Sequence, residues 1–307
     1  MTSAKSLFLE RIASLTASTQ IEAVTNRPLA DRAHNNVARM LRNGLAVVGF
    51  ASLEDFIKSR VSEVLNDVGR TGVPFRDLPE RLRFASTFES IAALSYQMTI
   101  RDRADRLAYI QEHAAKIAST SATAYEITPH AFGYDQANVN SDTVRAILKS
   151  FLIDNPWGEM TKIAARIGLI GMPLEETFKS AANRRNRAAH VAHHDTPQTD
   201  IQQFTKEAHA IAITFDALLT KALRNMQQHN ARYLNGHERI NSVSVSIRSV
   251  RFRGGVWREE LEGARRAVKV DQNLLSLQGA AKNRSVLAKD LYIEYSLVGE
   301  IVHWECN

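Results

Sequence analysis

The stretch LEDFIKSRVSEVL, residues 53–65, carries the clearest structural signal in the chain. Apolar side chains recur in it at every fourth position, at Leu53, Ile57, Val61 and Leu65. The pattern continues towards the N-terminus at Leu41, Leu45 and Val48. This spacing places all of them on one face of an α-helix. It predicts one long amphipathic helix over most of residues 30–68.

Four further stretches repeat the helical spacing. Their apolar positions are Phe84, Phe88, Ile91 and Leu94, then Leu107, Ile110, Ala114 and Ile117, then Val144, Ile147 and Phe151, and last Ile201, Phe204, Ala208, Ile211, Phe215 and Leu218. Apolar helix faces need partner faces to cover them, and a helical bundle is the simplest arrangement that supplies these. We therefore expect residues 1–232 to form a helical bundle with these stripes buried.

The pattern changes after residue 232. Val243, Val245 and Ile247 alternate with polar residues and the phase then slips to Val250 and Phe252, which predicts a strand with a bulge. Residues 257–278 are interpreted as a helix. Residues 291–297 alternate again, and Gly299 offers a turn into a second arm at residues 301–304. The fold class is thus mainly α, with a small α+β domain of unknown role at residues 233–307.

Composition excludes several classes of protein. With 44% hydrophobic and 23% charged residues, 14 Gly and 7 Pro in 307 residues, the chain is neither disordered nor collagen-like. The longest mainly apolar run without a charge, residues 43–53, is short of the ~20 residues that span a bilayer. The N-terminus lacks a secretory signal pattern, so we expect a cytoplasmic protein without membrane contact. The single cysteine, Cys306, excludes intrachain disulfides and zinc sites built on cysteine pairs.

Positive charge is concentrated in one segment. The formal net charge of +6 favours an anionic partner. Residues 177–194 hold Lys179, three arginines and three histidines, and no acidic residue. This is the most concentrated basic patch in the chain.

The same segment begins as an ordinary amphipathic helix. Leu174, Phe178 and Ala181 form one stripe, and the next position on it is Arg185. Burying an unpaired guanidinium is costly, so Arg185 is expected either to point into a polar cleft or to meet an anion from outside. Asn186 and His190 are four positions apart and share a face. Arg185 and His190 lie about 140° apart on an ideal helix, a gap that the long arginine side chain or a distorted helix end must close.

The string RNRAAH, residues 185–190, resembles the Arg, polar residue and His motif of the HEPN superfamily of helical-bundle ribonucleases, in particular the RiboL-PSP-HEPN branch. The string LRNGLAVVGFASLEDF, residues 41–56, looks like the first long helix of that branch. The resemblance covers residues from about 30 to 225 and does not account for residues 236–307.

The resemblance implies metal-independent cleavage of RNA at a composite site between two protomers, with no cofactor. His190 would transfer protons, since an ordinary imidazole titrates near neutral pH. Arg185 would grip the scissile phosphate, and Asn186 would orient the phosphate or the imidazole. The expected products are a 2′,3′-cyclic phosphate and a 5′-hydroxyl. We expect further RNA contacts from Arg184, Arg187, His193 and His194.

The family context also implies a toxin or defence effector, a homodimer, and an antitoxin or sensor protein as regulator. The alternative is a non-catalytic HEPN scaffold that binds RNA or a partner protein. Two other interpretations of the segment remain: a solvated basic helix face, and a metal site built from His190, His193, His194 and Asp195.

Two other groups of residues have two interpretations each. Arg248, Arg251 and Arg253, near Phe252 and Trp257, form either a second RNA-contacting surface or an exposed strand face. The loop aromatics either stack on unpaired bases or, the interpretation that we favour, pin the loop onto its own domain: Tyr125, His130, Phe132 and Tyr134.

Overall fold

The computed structural model describes residues 3–132, 139–169 and 171–307. The helices there are α1 (Ala4–Ser18), α2 (Arg32–Gly69), α3 (Glu80–Phe84), α4 (Ser90–Ile100), α5 (Arg106–Ser119), α6 (Ser141–Ser150), α7 (Pro156–Arg166), α8 (Leu174–His190), α9 (Gln198–Gln227), α10 (Ala231–Leu234) and α11 (Leu274–Ala288). The strands are β1 (Ile247–Arg253), β2 (Val256–Leu261), β3 (Lys269–Asp271), β4 (Leu291–Tyr295) and β5 (Ile301–Cys306). The predicted fold class, mainly α with a small C-terminal α+β part, is confirmed.

Helix α2 is the centre of the bundle and confirms the long helix predicted from residues 53–65. The four apolar residues of that stretch are fully buried. Helices α9 and α1 contact α2 most extensively, and α8 comes next. Close approach requires a glycine at one point, because a Cβ at Gly49 would lie 2.9 Å from a methyl group of Leu15 and 3.2 Å from the ring of Phe204. Two of the N-terminal stripe residues, Leu41 and Val48, are exposed, contrary to expectation.

The predicted burial of the stripes around residues 84–117 is wrong for several positions. Phe84, Phe88, Ile91, Leu107 and Ile110 are exposed. A π-helical turn at Ala85–Glu89 joins α3 to α4 and shifts the helical register. The inward side is therefore taken by small residues at positions 85, 86, 90 and 93, together with residue 94.

The loop that follows α5 is held by its own aromatic residues. The Tyr125 hydroxyl donates to the Val73 carbonyl at 2.9 Å, and the ring of Phe132 is buried. His130 forms a hydrogen bond with the Tyr109 hydroxyl. These contacts confirm the pinning interpretation for the described residues; Tyr134 lies outside them.

The C-terminal residues form a five-stranded sheet in the order β3-β2-β1-β4-β5. Strand β1 pairs antiparallel with β2 and parallel with β4, and α11 makes the crossover between β2–β3 and β4. The predicted hairpin of β4 and β5 is confirmed, with Gly299 in its turn. One face of the sheet packs on α11 through a small cluster of buried residues: Val250, Trp257, Leu277, Ala281 and Tyr292.

Two local predictions are wrong in this part. The helix predicted at residues 257–278 is a strand hairpin followed by α11, which begins only at Leu274. Gly254 and Gly255 both have positive φ and close the tight turn before β2. The alternation in β2 is hidden because a buried charge, Glu259, stands where an apolar residue is expected. The bulge predicted before Val250 is wrong, because β1 begins at Ile247 and pairs regularly with β2. The apolar phase slips because Ile247 packs on the bundle core and Val250 packs on the α11 side of the sheet.

The sheet is attached to the bundle by Trp304 of β5. Its ring is fully buried against Phe8 and Phe56, and its indole N–H donates to the Asp216 carboxylate of α9 at 2.8 Å. Arg60 of α2 donates to the other oxygen of that carboxylate at 2.6 Å. Bundle and sheet therefore share one continuous core. Across the described ranges, none of the helices has the length and apolar content of a membrane span.

Candidate functional site

Helix α8 carries the predicted motif at its C-terminal end. Its first turns pack into the bundle: Leu174, Phe178 and Ala181 are buried, as the stripe predicts. The ring of Phe178 lies 5.4 Å from that of Phe50 in α2. This packing fixes α8 against α2, and the helix ends at His190, since Val191 adopts an extended backbone.

Arg185 occupies the next position on the buried stripe. Its side chain is 18% exposed, and its Nη1 donates to Asn186 Oδ1 at 3.0 Å. Its Nη2 lies 4.0 Å from Glu54 Oε2, a carboxylate supplied by α2. The guanidinium therefore reaches a polar cleft between α8 and α2, one of the two alternatives that the sequence left open.

Glu54 is the residue of this cleft that sequence reasoning missed. Only 6% of it is exposed, and it accepts a hydrogen bond from the Val139 amide at 2.8 Å. Burial raises the pKa of Glu54, and the Val139 amide and the charges of Arg185 and Lys58 offset only part of that effect. The one available signal was an acidic residue inside an otherwise apolar helix face.

Asn186 and His190 are both exposed. They are one helical turn apart and share a face, and His190 is the last residue of the helix. An imidazole at an exposed helix end is accessible to a ligand from solvent. The Asn186 carbonyl accepts from Arg185, so the asparagine links the guanidinium to the face that carries His190.

Two neighbouring residues of α2 hold the segment that follows His190. Arg42 is 2% exposed and donates to the carbonyls of Thr196 and Val24 and to the Asp195 carboxylate, at 2.9, 2.6 and 2.5 Å. Asn43 donates to the His194 carbonyl at 2.8 Å. The segment between α8 and α9 is therefore bound to α2 by side chains.

The side-chain oxygen of Asn43 contacts the same segment as its side-chain nitrogen does. The backbone N–H and the hydroxyl of Thr196 both donate to Asn43 Oδ1, at 3.1 and 2.8 Å. Sequence reasoning assigned no role to Arg42 or Asn43, because nothing local in a helix of mixed composition shows which residue it meets 150 positions later.

Arg185, Asn186 and His190 thus all lie on one helix of an α-helical bundle. The sequence profile of the RiboL-PSP-HEPN family matches residues 8–223, more than half of the chain. The chain belongs to the RiboL-PSP-HEPN family. No individual curated protein and no solved structure shows significant similarity to it. The resemblance drawn from the two sequence strings is thereby confirmed, and membership of the HEPN superfamily indicates a nuclease or another RNA-related role.

The HEPN domain places the four residues predicted to contact RNA in different environments. Arg187 and His193 are exposed, and His194 is half-buried. Arg184 forms a salt bridge with Glu207 of α9, and its side chain is 18% exposed. Arg187 and His193 are thus the most accessible of the four.

His190, His193, His194 and Asp195 at the end of α8 are the residues of the alternative metal site. The Asp195 carboxylate in that group is bound by Arg42 of the same HEPN domain. In the part of the chain that the structure describes, no three His, Cys, Asp or Glu side chains come together in a group that could hold a metal ion.

Proposed function

We propose that this HEPN protein is an endoribonuclease that cleaves RNA without a metal ion. The observation that carries the proposal is the position of the motif: Arg185, Asn186 and His190 lie on the last turns of α8, two of them exposed and the third beside a carboxyl whose pKa is raised. We expect Arg185 to bind a phosphate group, because the forked N–H donors of arginine match the geometry of phosphate oxygens.

The proposed reaction uses the ribose 2′-hydroxyl as nucleophile. Its oxygen bonds to phosphorus while the bond from phosphorus to O5′ breaks, which leaves a 2′,3′-cyclic phosphate and a 5′-hydroxyl. One His190 accepts the 2′-hydroxyl proton, and the second His190 of a dimer gives a proton to O5′. Arg185 offsets the charge on the phosphoryl oxygens, and Asn186 orients the phosphate group. Arg184, Arg187, His193 and His194 contact the flanking RNA.

Apolar residues beside the motif support a homodimer. Four exposed side chains lie along one face of α2, namely Val37, Met40, Leu41 and Val48. On the same face, Gly44 has open space where a Cβ would be, which permits close approach of a second helix. The Asn43 bond to His194 brings this part of α2 next to the end of α8. A second copy covering this face would bring two motif helices together.

The wider role that we propose is that of a cytoplasmic toxin or defence effector, restrained by an antitoxin or a sensor protein. It rests on the family context alone. The second candidate, a non-catalytic HEPN scaffold for RNA or a partner protein, is favoured by one observation: Glu54 already supplies Arg185 with an internal carboxylate.

The deciding experiment is RNA cleavage by purified protein in EDTA, with the product ends identified by mass spectrometry. Replacing His190 with alanine should lower the cleavage rate by about 10²–10⁴-fold, the usual contribution of a general acid or base. His237→Ala, which removes an exposed histidine outside the motif, is the matched control and should leave cleavage unchanged. If the wild-type protein cuts no RNA, the scaffold is the correct function.

The dimer is tested by light scattering at micromolar concentration. We expect a dimer for the wild type and a monomer for Val48→Asp, because a carboxylate on an apolar contact face is costly to desolvate. Val243→Asp makes the same change at an exposed site outside α2 and should remain dimeric. A monomeric wild-type protein would contradict the composite site.

A further inference from the structure

The sheet has two faces of opposite character. Val250 and Trp257 point to the face covered by α11. The alternate positions of β1, Arg251 and Arg253, point to the other face, since successive strand residues alternate sides. Arg251 lies directly opposite Arg258 of β2, so both side chains share that second face.

At β4 this second face packs on the bundle through Leu291, Ile293 and Tyr295, and at β1 and β2 it forms the floor of an open groove of about 680 Å³. Six arginines line it: Arg166, Arg251, Arg253, Arg258, Arg265 and Arg266. Among the described residues that line the groove, only Glu260 and Glu262 are acidic, so the formal charge of this lining is six minus two, or +4. We call it the arginine groove. This charge exceeds what one phosphate group neutralises.

The two glutamates leave several of these guanidiniums uncompensated. Glu262 is bound by Arg166, the last residue of α7, with Nε to Oε1 at 2.7 Å. Glu260 lies 3.9 Å from Arg253. Within the described ranges, Arg258, Arg265 and Arg266 form no salt bridge with a carboxylate.

Arg251 in the floor of the groove is held in a fixed orientation. Its guanidinium lies over the ring of Tyr295 at 3.8 Å and donates to the Tyr295 hydroxyl at 2.5 Å. That hydroxyl in turn donates to the Ile167 carbonyl at 2.6 Å. A guanidinium fixed in this way loses less side-chain entropy when it binds an anion.

Arg248 does not belong to this surface, although the sequence places it with Arg251 and Arg253. It lies on the α11 side of the sheet, buried and bonded to Glu259 and Asp290 at 2.7 and 2.8 Å. The predicted set of three arginines is therefore divided by strand alternation. Only Arg251 and Arg253 face the groove.

We propose that the arginine groove binds the phosphate backbone of single-stranded RNA. Several guanidiniums along an open channel match a chain of phosphates, which arginine binds with paired N–H donors. The groove lies outside the family match except for Arg166, so it adds a second contact surface to the HEPN site. The choice of RNA among polyanions rests on the proposed function; the binding of a phosphate chain does not.

The test is binding of a fluorescent 2′-O-methyl RNA of about 20 nucleotides to the full chain, followed by anisotropy at several salt concentrations. This RNA has no free 2′-hydroxyl, so binding is measured without cleavage. Replacing Arg253, Arg265 and Arg266 together with glutamine should weaken binding at least about tenfold. It should also reduce the slope of log K against log salt by about 2, at roughly 0.7 per phosphate contact.

The matched control removes the same charge at three exposed arginines elsewhere: Arg70, Arg103 and Arg232. This triple variant should keep wild-type affinity and slope. Equal losses in the two triple variants, or unchanged binding in the groove variant, would overturn the proposal. So would displacement of the RNA by poly-glutamate at equal charge concentration, which would assign the groove to an acidic protein. Loss of RNA binding in the groove variant with cleavage intact, or intact binding with cleavage lost, would show that the groove proposal and the catalytic proposal stand or fail independently.

Discussion

Two arginines of this protein, Arg185 and Arg248, make the same kind of contact with opposite consequences. Each extends from an otherwise apolar face towards a buried glutamate on another element. Although burial raises the pKa of Glu259, the hydrogen bonds from Arg284 and Arg248 bring it below its ordinary value. At Glu54 burial also raises the pKa, and the neighbouring donors and cations do not reverse it.

The difference follows from how completely each carboxylate is bonded. Glu259 receives hydrogen bonds from two guanidiniums, and Arg248 also binds Asp290. Glu54 accepts a hydrogen bond from the Val139 amide, and the Arg185 guanidinium lies 4.0 Å away, too far for a hydrogen bond. The ion pairs of Arg248 hold the sheet and α11 together, whereas Arg185, which forms no direct hydrogen bond with Glu54, is the arginine that we expect to bind an outside anion.

The largest effect is expected when the paired arginine is removed. Arg248→Met should lower the free energy of unfolding by about 3–5 kcal/mol, because it removes the cation that binds buried Asp290 and leaves buried Glu259 with Arg284 alone. Urea denaturation measures this loss. Arg258→Met, on the neighbouring strand and without a carboxylate partner in the described residues, should change stability by no more than about 0.5 kcal/mol. Similar losses for both variants would refute the distinction.

Removal of Arg185 should affect RNA cleavage far more than stability. Arg185→Met should slow RNA cleavage by about 10²–10³-fold, the usual loss when one donor to a developing oxyanion is removed. The free energy of unfolding should fall by less than about 1 kcal/mol, because Glu54 can take up a proton. Lys179→Met, on an exposed position of the same helix, serves as control and should cleave at the wild-type rate. A stability loss as large as that of Arg248→Met would show that Arg185 is structural.

The next effect concerns the support behind the motif. Asn43→Ala removes three hydrogen bonds to the segment after His190 and should destabilise the protein by about 1–3 kcal/mol. Cleavage should also slow at temperatures where the variant is folded, since the end of α8 loses its anchor. Asn36→Ala, at an exposed position of the same helix, is the control. If both variants match the wild type, the anchor has no role.

The smallest effect is a difference in pH dependence. The folded protein holds the Glu54 proton more tightly than the unfolded chain, so the stability gained from the neutral form is present at acid pH and lost as pH rises through the raised pKa. Glu54→Gln carries no charge and escapes this loss. Its stability relative to wild type should therefore increase between about pH 4 and pH 7 in denaturation experiments. A relative stability that falls over this range would mean a well-compensated carboxylate.

Much of the fold was predictable because its signals are local. The spacing of Leu53, Ile57, Val61 and Leu65 identified α2, and the alternation around Gly299 identified the last hairpin. The prediction of a helix at residues 257–278 was wrong because Glu259 and the segment's charges mask the period of two. The stripe at Phe84, Phe88 and Ile91 was predicted to be buried but is exposed. The cause is a π-helical turn, which the spacing of apolar residues does not predict.

The sequence by itself determined the family, the helical character and the positions of Arg185, Asn186 and His190, since periodicity and a short motif are properties of neighbouring residues. Only the tertiary structure decided which charges are compensated. Glu54 and Arg185 are 131 positions apart, and Arg42 meets Asp195 at a separation of 153. Strand alternation likewise sent Arg248 inward and Arg251 outward. Burial and pairing are set by contacts between distant segments, and these exist only once the chain has folded.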